Sequence, residues 1–159
     1  MGTWTNSDGL YIKFGVDEAT QHKVGQYQAD VAGLHVIEAE ILWSDLAATG
    51  STTILSDTLY IPSNAFIESA TFRVETAFAS AGSATLTFGL IRKDRSTAID
   101  ADGIDATIAV AALTAGATIT CDGALIGTRL STYPALLTAL EGTAAFTAGK
   151  GVLRITYRI

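Results

Sequence analysis

The chain has 159 residues, is 48% hydrophobic and 16% charged, and carries a formal net charge of −6. That length fits one domain with a full core, and the composition excludes disorder, which needs few apolar residues and many charges. The ten Lys and Arg residues are scattered without a basic tract, so direct binding of nucleic acid or of an anionic membrane is not expected.

The opening "MGTWTNSDGL" has neither a basic start nor an apolar run, so no signal peptide is expected. Asn6 stands where N-myristoylation of Gly2 would want Ser or Thr. No run of 18 apolar residues occurs. Residues 1–32 read as an N-terminal arm, polar with aromatics set singly. "DGLYIKFG" (8–15) is a short strand between Asp8-Gly9 and Gly15. Trp4, Leu10, Tyr11, Phe14 and Tyr27 are the arm's candidate interface residues, because interfaces favour large apolar anchors. The alternative is that they cover the domain itself. His22 has no assigned role.

From Gly33 onward, residues 33–159 read as a β domain. "LHVIEAEILW" (34–43) is apolar on both phases, so burial on both faces is expected. "TTILSDTLYIP" (52–62) reads as a strand ending at Pro62. In "AFIESATFRVETAF" (65–78), Ala70, Phe72, Val74 and Phe78 share one face, and Ser69, Thr71, Arg73 and Glu75 the other. "ASAGS" (79–83) is the expected hairpin turn into "ATLTFGLIR" (84–92), with Ala84, Leu86, Phe88 and Leu90 on one face. "GIDATIAVAALTAG" (103–116) reads as a helix closed by Gly116, with its β-branched residues leaving a strand as the alternative. "PALLTALEG" (134–142) reads as a helix with Pro134 at the first position. "GVLRITYRI" (151–159) points Leu153, Ile155, Tyr157 and Ile159 inward. The sum is a mostly β chain: an antiparallel β-sandwich, jelly-roll-like, with one or two short helices and an extended arm.

Candidate chemistry is sparse. Asp100, Asp102 and Asp105 crowd around Gly103 and form a weak candidate for structural calcium, but the EF-hand register fails. That loop needs an acid six residues after its glycine, where this chain has Ala109. Asp102 as a helix cap, with Asp105 three residues on, is the competing reading. Glu38 and Glu40 share a strand face with Cα atoms roughly 6.8 Å apart. Paired acids can hydrolyse glycosides, but pairing with Arg73, Arg154 or Arg158 across strands explains them without catalysis. No Gly-x-Ser-x-Gly, phosphate-binding loop or dinucleotide fingerprint occurs. His35 reads as a core or interface histidine, and Cys121 as a buried inert thiol. With two histidines and one cysteine, no zinc site of usual type can be built. No catalytic residue and no cofactor are assigned. "IRKDR" (91–95) is the one charge cluster. Arg92, Lys93 and Arg95 are candidate docking residues for an acidic partner surface, and a solvated strand end is the alternative.

"DTLYIPSNAFIESATFRVETAFASAGSATLTFGLIRKDRS", followed by "DADGIDA", "CDGALIG" and "AAFTAGKGVLRITYRI", resembles small head proteins of tailed bacteriophages. These are of the type taken to be capsid cement or decoration proteins. "TNSDGLYIKFG" fits the same pattern. The resemblance implies a β-sandwich bound outside the major capsid shell, strengthening the expanded head against DNA pressure. It implies the major capsid protein as partner, self-association as dimer or trimer, and a place on the virion surface after synthesis in the host cytoplasm. It transfers no catalytic residue. The alternatives are a tail or head-fibre component, or a carbohydrate-binding β-sandwich module with a solvent-facing aromatic pair.

Overall fold

The computed structural model describes residues 2–5, 11–14, 26–29 and 33–159. The strands are β1 (Gly2–Thr5), β2 (Tyr11–Phe14), β3 (Gln26–Ala29), β4 (Leu34–Leu42), β5 (Thr52–Ile54), β6 (Tyr60–Ile61), β7 (Phe66–Ser80), β8 (Thr85–Arg92), β9 (Ala98–Ala109), β10 (Thr118–Thr120), β11 (Ala135–Gly142) and β12 (Phe146–Arg158). Short 3-10 turns at Trp43–Asp45 and Val110–Ala112 are the only helical segments among the described residues.

Among the described residues all strand pairs are antiparallel. One sheet runs β10-β7-β12-β4-β3. The other runs β5-β11-β8-β9, with β6 also on β11. The chain crosses repeatedly between the sheets, and the two orders are those of an eight-stranded jelly roll with β3 added at one edge. Outside both sheets, β1 and β2 form a sheet of their own.

The core lies between the sheets. Ile37, Ala39 and Ile41 of β4, Phe72 and Val74 of β7, and Leu153, Ile155 and Tyr157 of β12 face Leu86, Phe88 and Leu90 of β8 and Leu137 and Ala139 of β11. Burying each large apolar side chain contributes roughly 1.5–3 kcal/mol. The alternation read for β7, β8 and β12 places the buried residues as expected, apart from Ile159, which is 67% exposed at the chain's end. A bulge at Glu68 shifts the phase of β7, so Ile67 and Ala70 are both buried.

Several expectations are corrected. β4 is buried on one face, not two: Glu38 and Glu40 point away from the core. The 52–62 strand is two short ones, broken where the Ser56 hydroxyl accepts the Thr58 and Leu59 amides. Residues 79–83 are not a hairpin, because β7 and β8 lie in different sheets.

Neither expected helix forms. Residues 135–142 are β11, buried on both faces from Ala135 to Ala139, so its apolar run carries no strand period. Pro134 precedes the strand, where no ladder amide is needed. Residues 103–116 divide between the end of β9 and a 3-10 turn. Asp102 therefore sits in a strand and caps no helix.

Candidate functional site

β8 ends in Arg92, and its ladder places Arg92 opposite Ala135 of β11, which in turn lies opposite Ile61 of β6. One step inward, Ile91, Leu136 and Tyr60 form the next row. This brings the 92–95 turn, Tyr60 and the 131–134 loop to one end of the second sheet. The Lys93 amide donates to the Pro134 carbonyl at 2.9 Å and fixes the turn against that loop.

The Arg92 guanidinium lies over the Tyr133 ring, 3.8 Å from its centroid. The Lys93 ammonium lies over the Tyr60 ring at 3.5 Å. Such stacking holds a cation without neutralising it. Tyr60 and Tyr133 are 40% and 43% exposed. Arg92, Lys93, Asp94, Tyr133 and Pro134 line an open depression of about 340 Å³.

Arg95 is engaged differently: its Nη2 donates to Asp57 Oδ1 at 2.6 Å. Asp94 turns onto Ser96, accepting its hydroxyl at 2.7 Å and its amide at 2.9 Å. The Ser96 hydroxyl bond, followed by the Ser96 amide, lowers the Asp94 pKa. Arg92 and Lys93 thus lie side by side on two tyrosine rings, while Arg95 pairs with Asp57. Tyr60 and Tyr133 are site residues that the sequence analysis missed. Their one signal is a tyrosine close before a proline in each loop, "YIP" and "YP".

The described arm candidates lie on other strands. In the ladders Trp4 lies opposite Ile12, Tyr11 opposite Thr5, Phe14 opposite Gly2 and Tyr27 opposite Ile37. Tyr27 thereby belongs to β3, an edge strand of the first sheet. Leu10 and His22 lie outside the described residues.

The acidic stretch is a bulge. Two steps along β8, from Phe88 to Leu90, are matched by five along β9, from Asp105 to Asp100. The extra residues fold over Gly89, where any Cβ would overlap the Ala101 carbonyl. The Asp102 carboxyl beside Asp100, and then burial, raise the Asp100 pKa, while the Asp102 amide donates to Asp100 Oδ1 at 3.4 Å. Asp105 points inward, 6% exposed. Burial, then the Asp122 charge, pushes its carboxyl up. Burial also pushes the Cys121 thiol beside it to about 12, with Asp105 adding to the rise, so Cys121 stays protonated. Among the described residues no three His, Cys, Asp or Glu side chains are grouped to hold a metal, and Asp100 and Asp102 lie apart from Asp105 in burial and partners.

Glu38 and Glu40 each meet a cation on the outer face of the first sheet. Glu38 is 3.8 Å from Arg154, and Glu40 is 3.1 Å from Lys150. Arg73 pairs with Glu75 and Arg158 with Glu68. His35 stacks on Tyr157, centroids 5.2 Å apart and planes 17° from parallel. These four ion pairs neutralise charge along the strand face, whereas His35 packs against a buried ring.

No protein-family model and no curated protein matches the chain. Among solved structures it is similar to a chain in the acid-stable capsid of Helicobacter pylori bacteriophage KHP30, with 14% identity, 86% of this chain and 93% of that one covered, and a TM-score of 0.56. A chain of the cyanophage Pam1 capsid asymmetric unit gives 13% identity, 98% and 97% coverage, and a TM-score of 0.55. A chain in the capsid of Ralstonia phage GP4 gives 16%, 79% and 83%, and 0.53. At these identities the likeness establishes a shared fold.

Proposed function

We propose that this chain is a bacteriophage virion structural protein of the cement or decoration type, bound to the outside of the major capsid shell and stabilising the mature head. The observation that carries the reading is the fold likeness, which spans 98% of this chain and 97% of a chain from a phage capsid asymmetric unit. Two more capsid structures contain chains of the same fold. The sequence resemblance to phage head proteins points the same way.

The physical character of the chain supports the role. Its working parts are surfaces: a sandwich with a mixed-charge face, a two-stranded sheet outside the sandwich, and an aromatic-cationic end. A lattice of identical sites multiplies modest contacts through avidity, so no single contact need be strong. Self-association as dimer or trimer on the shell belongs to the same proposal. Co-sedimentation with purified heads tests it. Binding to expanded heads supports the reading, and failure to bind either expanded or unexpanded heads sinks it.

A further inference from the structure

Eight Lys or Arg side chains lie in residues 33–159. Arg73, Arg95, Lys150, Arg154 and Arg158 each meet a carboxylate. Arg129 donates to the Asn64 carbonyl at 2.6 Å. Arg92 and Lys93 are the remaining two, adjacent in sequence: both rest on tyrosine rings, and among the described residues neither forms a direct ion pair, although the Arg92 charge acts on nearby Asp94. A chain of net charge −6 has abundant carboxylates to offer them. Here Asp57 is taken by Arg95 and Asp94 by Ser96, so Arg92 and Lys93 keep their charge without a direct ion pair among the described residues.

We propose that Arg92 and Lys93, seated on Tyr133 and Tyr60, form a preorganised anchor for the carboxylates of an acidic segment on the protein partner. The placing of that partner in the capsid shell rests on the proposed function above; the carboxylate chemistry does not. A guanidinium stacked on a ring keeps its N–H edge free, and that edge matches a carboxylate fork. Holding both side chains in place before contact reduces the ordering cost of binding. The depression of about 340 Å³ beside them admits a few side chains.

Charge complementarity selects a protein acid over a nucleic acid. A phosphate backbone needs a track of cations, whereas this site has two, bordered by Asp94 in the depression and by Asp57 on Arg95. A strand of phosphates would run onto those acids. One or two carboxylates reach the cations without doing so. The patch also counters the repulsion that an acidic partner would otherwise meet from a chain of like charge, which orients the encounter.

The test has two arms. In the first, amide chemical shifts of the full chain are followed during titration with hexaglutamate, with hexaglutamine, inorganic phosphate and a single-stranded DNA oligonucleotide alongside. Shifts at residues 60, 91–95 and 131–133 with hexaglutamate, weakening as salt rises, support the anchor. No shift there, or larger shifts with phosphate or DNA, overturns it. In the second arm, the Arg92→Gln/Lys93→Gln variant is compared with wild type for shell binding, with Arg92→Lys/Lys93→Arg as the control of retained charge and Arg129→Gln as the control of a cation removed away from the site. Loss of about tenfold or more in affinity in the first variant alone supports the anchor, and wild-type binding by it overturns the anchor. If wild type itself ignores shells while hexaglutamate binds, the shell reading fails and the carboxylate site stands.

Discussion

The Phe72 ring in one sheet meets the Phe88 ring in the other edge-on, with centroids 5.0 Å apart and planes 62° from parallel. Phe72 in turn lies 6.0 Å from Phe78, which stands 5.2 Å from Phe146. This row of rings ties β7 to β8 across the sandwich and continues to the start of β12. Phe88→Ala is expected to cost about 3–5 kcal/mol, the usual range for emptying a buried aromatic site. Urea denaturation checks this. A loss below about 1 kcal/mol would mean that the two sheets are not joined through this contact.

Gly89 sits beneath the β9 bulge, where a Cβ would overlap backbone oxygens of Asp100 and Ala101. Backbone cannot step aside as a flexible side chain can. Gly89→Ala is expected to destabilise by about 1–3 kcal/mol through overpacking, with the largest loss of amide protection in residues 98–105. Hydrogen exchange would show it. Unchanged exchange in that stretch would place the bulge elsewhere.

Burial and the Asp122 charge raise the pKa of Asp105 in the folded chain. The native state then binds this proton more tightly than the unfolded chain does. The stability it contributes is therefore present at low pH and is lost as pH climbs from the ordinary carboxylate range through the folded pKa. Asp105→Asn keeps the shape and removes the titration. The variant should be more stable than wild type at pH 7, with the gap closing toward pH 4. Parallel stability curves for the two proteins would contradict the buried-carboxyl account.

Strands with one buried face were readable because their side chains alternate: β7, β8 and β12 show it plainly. β11 was not, because Leu136 and Thr138 are buried on the face opposite Leu137 and Ala139, which erases the period. β9 was misread because its bulge breaks the alternation between Asp100 and Asp105, leaving Ile104 and Ile108 at helical spacing. The Ala-Gly-Ser turn after β7 looks local, yet it carries the chain from one sheet to the other, which neighbouring residues cannot reveal. The cationic half of the candidate site was visible in "IRKDR". Its aromatic half comes from residues 60 and 133, brought beside Arg92 and Lys93 only by the β6-β11-β8 ladder.

β1 and β2 pair only with each other among the described strands, and an isolated two-stranded sheet is marginal in water. A partner surface would stabilise it. Deleting residues 1–14 is therefore expected to weaken shell binding more than it lowers the melting temperature. Paired sedimentation and thermal melts check this; equal binding by the truncated chain would remove the arm from the interface.

Counting copies of this chain per purified virion, by quantitative mass spectrometry against the major capsid protein, addresses the shell assignment most directly. Hundreds of copies, in a fixed ratio to the shell subunit, are the expected result. A handful per particle would place the chain at a tail or a single vertex and contradict a role spread over the head.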